Sequence, residues 1–146
     1  MSMYFEGRRN GIALLCVIWI MVPLFTAYAF VNGLGNLSIL ISLVVCAAFN
    51  TMGIIIYAGN YHLISGFSTM TLEEINRYNI ETVTVVTGIS FCIAGYLFFI
   101  TDAIISVRIS EIMGLITGSI LCIISLIVWA ILISFNKRFR NNQYRE

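Results

Sequence analysis

The stretch "LSILISLVVCAAFNTMGIIIYA", residues 37–58, runs for 22 positions without a charged side chain. At 1.5 Å per residue such a block crosses the ~30 Å hydrocarbon core of a bilayer as one helix. In lipid, every backbone N–H and C=O group must find its partner within the protein, so a spanning segment is either a helix or part of a closed barrel. Barrel strands alternate apolar and polar residues over about ten positions, and this block does not. Residues 37–58 therefore read as a membrane helix.

Working outward, no Asp, Glu, Lys or Arg occurs between Arg9 and Glu73, a run long enough for two spans. Hydropathy places four spans at 12–31, 37–58, 83–100 and 112–135. With 60% hydrophobic and 10% charged residues, the chain lies far from the roughly 25% charge of soluble domains. The expected fold is an all-α integral membrane protein: a single domain, 1–146, with four transmembrane helices in two antiparallel hairpins and a short cytoplasmic amphipathic helix. The third block opens on "ETVTVVTG", a β-branched run that would suggest a strand in water; the cost of an unpaired strand edge in lipid favours a helix there.

The first hairpin turns on "NGLGN", residues 32–36, whose glycines and asparagines tolerate a tight connection. Spans two and three are joined by 63–80 and its flanks, and spans three and four by the eleven residues "TDAIISVRISE". Arg8, Arg9, Arg77, Lys137, Arg138, Arg140 and Arg145 fall on one side and Arg108 alone on the other. The positive-inside rule then puts both termini and the 63–80 segment in the cytoplasm of a cell-membrane protein. An alternative reading of the N-terminus is a signal peptide cleaved after Ala29, suggested by Pro23, Ala27 and Ala29.

Several chemistries lose their footing in this composition. The net charge of +1 gives no reason to expect a nucleic-acid partner. Cys16, Cys46, Cys92 and Cys122 fall one in each apolar block and read as reduced thiols rather than disulfides. A soft-metal site from Cys46, Cys92 and Cys122 lacks any C-x-x-C pair or nearby His, so neither a metal nor a cofactor is expected. His62 is the sole histidine, beside Tyr61 in an aromatic belt that also takes in Tyr57 and Tyr78. No nucleophile with a nearby base or phosphate-binding loop appears, and the chain reads as a non-enzyme. Ionisable groups within spans mark function by default; the expected boundaries leave Asp102 in a loop and none in a span.

Small and polar residues do mark helix contacts. Ser38, Ser42, Cys46 and Asn50 recur at i, i+4 on span two, a groove for close helix approach or, as the alternative, the lining of a permeation path with Asn50 as its functional residue. Gly114 and Gly118 form a GxxxG pair on span four, for a contact within the bundle or across a homodimer.

The longest polar passage is "SGFSTMTLEEINRYN", residues 65–79. Thr71 followed by Glu74 fits a capping box, in which each side chain caps the other's backbone N–H. Glu73 and Arg77 then stand i, i+4 in the favourable order, with Leu72, Ile75 and Tyr78 on the membrane or partner face. Gly66 supplies the bend that leads into this turn.

The passage "LISGFSTMTLEEINRY", residues 63–78, resembles an uncharacterised family of small prokaryotic membrane proteins, domain of unknown function family 3784. The resemblance is carried by Leu63, Ile64, Gly66, Thr69, Met70, Glu73, Glu74 and Tyr78 and covers roughly residues 50–135. Phe67 and Ser68 depart from the family pattern. The resemblance implies an integral membrane protein with a cytoplasmic motif and no known activity. The expected function is an accessory or interaction subunit that docks through Gly66, Thr69, Met70, Thr71, Glu73, Glu74, Arg77 and Tyr78 on the bilayer, on another membrane protein or on its own copy. Alternatives are a small oligomeric transporter or permeation pathway and an immunity-type protector against a membrane-active peptide.

Overall fold

The computed structural model describes residues 2–33, 35–64 and 69–135. The described chain is helical: α1 Ser2–Val31, α2 Leu37–Tyr57, a 3-10 turn Tyr61–Leu63, α3 Leu72–Asn76, α4 Ile80–Arg108 and α5 Glu111–Phe135. Among the described residues no strand is present. Four helices are long and apolar enough to cross a membrane, over Gly11–Val31, Leu37–Tyr57, Ile80–Arg108 and Glu111–Ile133.

The β-branched opening of α4 is helical because its hydroxyls turn back onto the helix. Thr84 donates to the Ile80 carbonyl at 2.9 Å and Thr87 to the Val83 carbonyl at 2.6 Å, so the threonines bury no idle donor. Asn79 caps the start, its Oδ1 accepting from the Thr82 N–H at 3.2 Å.

The far end of α4 differs from the sequence expectation. Hydropathy closes the third span at residue 100, yet the helix continues through Thr101 and Asp102 to Arg108. No Gly or Pro interrupts "TDAIISVR", so nothing in it stops the helix. The connection to α5 shrinks from eleven residues to Ile109 and Ser110. Ser110 opens the next helix, its Oγ accepting from the Met113 N–H at 3.3 Å.

Between α1 and α2, Gly33 takes the left-handed conformation with φ of 70°, which a side chain would resist. Asn36 then caps α2 by accepting from the Ile39 N–H at 3.0 Å. Ala29, the residue before the alternative cleavage point, is buried within α1, which runs on unbroken to Val31.

The closest packing pairs α2 with α4, and next α4 with α5; α1 lies against α2 more loosely. At the centre of the α2–α4 seam, two glycines bring the backbones together. A Cβ on Gly53 would lie 2.7 Å from the Gly88 carbonyl oxygen, and one on Gly88 would lie 2.6 Å from that of Gly53. Such an approach yields van der Waals contact between helices, which drives association where lipid tails are as apolar as leucine. The outward faces of α1 and α5 are Ile-, Leu- and Val-rich, as suits helices bathed in lipid.

Candidate functional site

The two ends of the bundle carry different chemistry. At one end Ile56 of α2, Val83 of α4, Ile64 and Ile75 form a buried apolar cluster, with Tyr61, Met70, Tyr78, Trp129 and Ile133 packed around it. The polar turn is tied to the helices there. The capping box is complete: the Thr71 N–H donates to Glu74 Oε2 at 2.8 Å, the Thr71 hydroxyl to the same oxygen at 3.1 Å, and the Glu74 N–H to Thr71 Oγ1 at 3.4 Å. The Thr71 backbone N–H, its hydroxyl and then the nearby Arg77 charge hold the Glu74 carboxyl below the usual carboxylate range.

Ile75 does not lie on a membrane or partner face. It is 8% exposed and packs inside the chain, with Tyr78 half-buried beside it. The physical reason is proximity: a five-residue helix so close to the ends of α2 and α4 buries its apolar side against them, sparing it from water. Thr69, Thr71, Glu73, Glu74 and Arg77 remain exposed and Met70 is half-buried. Gly66 lies outside the described residues.

His62 is exposed, its ring 4.2 Å from that of Tyr61. Cys46 and Cys92 share the α2–α4 seam, whereas Cys122 packs with Ala94 and Phe98 on the α5 side. Among the described residues no three His, Cys, Asp or Glu side chains are grouped to hold a metal ion.

Ser38, Ser42 and Asn50 all point into the α2–α4 seam and are fully buried. Asn50 donates to the Cys46 carbonyl at 2.8 Å and to Cys46 Sγ at 3.2 Å, leaving its Oδ1 without a donor. Gly118 sits under the Phe98 carbonyl, and a Cβ on Gly114 would lie 2.6 Å from Asp102 Oδ1. Both glycines of the GxxxG pair thus face α4 of the same chain.

Asp102 is the residue that sequence reasoning misplaced. Far from being a loop carboxylate, it lies inside the third span, 0% exposed. The Ser38 and Ser42 hydroxyls adjoin its carboxyl, yet no hydroxyl is aligned to donate to either carboxylate oxygen. Ser106, one turn further along α4, is 8% exposed with its Oγ equally unpartnered. A signal was present: Thr84, Gly88, Cys92, Gly95, Phe99, Asp102 and Ser106 recur at spacings of three and four, the buried stripe that answers Ser38, Ser42, Cys46 and Asn50. Carrying the stripe past residue 100 lands on Asp102.

Residues 43–138 match the family described as a domain of unknown function (DUF3784). The chain belongs to that family. No curated protein and no solved structure matches it. The DUF3784 region takes in the capped turn, Asp102, Ser106 and Gly114, while Ser38 and Ser42 precede it. Four span-length apolar helices and membership of this family make the chain an uncharacterised multi-pass membrane protein.

Proposed function

We propose that this DUF3784 protein is a non-enzymatic membrane subunit that docks on another membrane protein through the polar face of its 69–78 turn, on the cytoplasmic side. The observation that carries the reading is the burial of Ile75 against α2 and α4, with Glu73, Glu74 and Arg77 left exposed. A capped turn that buries Ile75 with Ile56 of α2 and Val83 of α4 restricts the arrangement of its charges, so less ordering entropy opposes binding. Charge complementarity at such a face sets partner choice and orientation.

The test is purification in mild detergent followed by native mass spectrometry. A complex is expected for the unaltered chain and its loss for the double reversal Glu73→Lys with Arg77→Glu, two exposed changes that leave Thr71 and Glu74 themselves in place. A clean monomer in the unaltered chain, or a complex indifferent to the reversal, overturns the reading; a homo-oligomer sensitive to the reversal identifies the partner as a second copy.

A second reading, a small oligomeric permeation pathway, draws support from the buried Asp102 and from Ser42 and Asn50 along the same seam. Against a path through one chain stands the Gly53–Gly88 approach, which leaves no room for even a methyl group. Liposome flux that Asn50→Leu abolishes, while the protein stays folded, would favour this reading over docking.

A further inference from the structure

At the end of the bundle opposite the capped turn, the start of α2, the end of α4 and the start of α5 meet around Asp102. Its two carboxylate oxygens have no aligned donor, and Ser106 Oγ, one turn further along α4, has no partner. The two α2 hydroxyls that adjoin the carboxyl spend their protons elsewhere. Ser38 donates to Asn36 Oδ1 at 3.0 Å and Ser42 to the Ile39 carbonyl at 3.0 Å. The two serine oxygens thus lie beside the Asp102 carboxyl without an aligned hydrogen bond to it.

Among the described residues no positive side chain relieves the arrangement. The charged group that bears on Asp102 from α5 is Glu111, an acid in the first turn of that helix. On α4 itself Arg108 is exposed, six residues on. Among the described side chains, α2 brings the two serines, and the titratable groups of α1, Cys16 and Tyr28, are exposed. A carboxylate withdrawn from water is costly unless an opposite charge or a proton compensates it.

Access is short. Asp102 lies six residues, about 9 Å, from the end of α4. That helix has 29 residues, so at about 43 Å it overreaches the ~30 Å hydrocarbon core. A centred α4 would put Asp102 just inside the boundary, where small ions arrive from water.

We propose that Asp102, Ser38, Ser42 and Ser106 form a binding site for one monovalent cation, with the carboxylate supplying the charge and the serine hydroxyls neutral oxygen ligands. Gly114 closes the site from α5: a Cβ there would lie 2.6 Å from Asp102 Oδ1 and 3.1 Å from both the Asp102 carbonyl oxygen and the Ser106 nitrogen. The same chemistry serves Na⁺, held by oxygens alone, or a proton, which would make Asp102 a donor to a serine lone pair.

The test uses the full chain purified in detergent, with two probes: NaCl against choline chloride at constant ionic strength, and pH at fixed salt. Readouts are the thermal midpoint and the labelling of Asp102 by dicyclohexylcarbodiimide, followed by peptide mass spectrometry. A sodium site raises the midpoint by several degrees in NaCl over choline and slows labelling at least tenfold. A proton site leaves sodium without effect, and both labelling and midpoint rise as pH falls. Asp102→Asn removes whichever response occurs; should that variant fail to fold, Ser106→Ala, which keeps the acid, must shift the midpoint of the response at least threefold in sodium or proton concentration. A midpoint indifferent to sodium and pH with Asp102 unlabelled, a response unchanged in Asp102→Asn, or one unchanged in Ser106→Ala where Asp102→Asn does not fold, overturns the site.

Discussion

At the scale of single residues, two acids in one small chain do opposite work because their surroundings differ. Glu74 is solvated and accepts two donors from Thr71, which favours its charged form. Its folded-state pKa is lowered from the usual 4.5 by the Thr71 N–H first, then by the Thr71 hydroxyl and Arg77. A lowered folded value means that the cap contributes above pH 4.5 and is lost as pH falls through the lower folded-state value. The amide resonance of Thr71 in detergent micelles should therefore hold its position from neutral pH through 4.5 and move only below it; a midpoint at or above 4.5 contradicts the cap. Thr71→Ala should cost about 1 kcal/mol of local stability, read as roughly fivefold faster hydrogen exchange at the Glu74 amide. The Thr71–Glu74 pairing was legible in sequence because it is local, a matter of three residues' spacing. Asp102 was not, because its environment is made by α2 and α5, far away in the chain.

At the scale of elements, the α2–α4 seam holds the bundle and its tolerance is smallest at the paired glycines. Gly53→Val places a branched side chain against the Gly88 carbonyl and Cys92 Sγ, both under 3 Å from the new Cβ. A backbone carbonyl cannot swing aside as a side chain tip can, so the variant should lose about 3 kcal/mol or more. Ser119→Val on the exposed face of α5 should stay within about 0.5 kcal/mol. Thermal midpoints of the two in the same detergent give the comparison, and equal midpoints would mean that the seam is not close-packed. The short α3 depends on Ile75 in the same way: Ile75→Ala should cost about 2–4 kcal/mol of local stability. Limited proteolysis should then cut within 69–79 while the four long helices stay intact. Ser38, Ser42 and Asn50 announced one side of the seam by their i, i+4 spacing. Gly53 and Gly88 did not stand out, because a glycine's role appears only when the partner helix is in place.

At the scale of the whole molecule, if all four candidate spans cross, the chain returns to the side from which it started, and the proposed topology puts both termini and the capped turn on one face of the membrane. The positive-inside rule would then assign that face to the cytoplasm, as proposed above. Cysteines introduced at Glu73 and at Asn32, in a background lacking the four native ones, test this: a membrane-impermeant maleimide on intact cells should label the second and spare the first. The reverse pattern inverts the orientation; labelling of both means that the chain crosses fewer times. Hydropathy alone determined that this is an all-helical membrane protein with four spans, because a lipid solvent penalises every unpaired peptide group and leaves helices as the economical answer. Local spacing also determined the cap. The tertiary structure decided which faces meet: it turned Ile75 inward, set both glycines of α5 against α4, and carried α4 two turns beyond its hydropathic end. That extension buries Asp102 among serines contributed by another helix. Hydropathy averages over a window and cannot see a single polar residue on a packed face, where only the neighbouring helices decide whether it meets lipid, water or an unpaired oxygen.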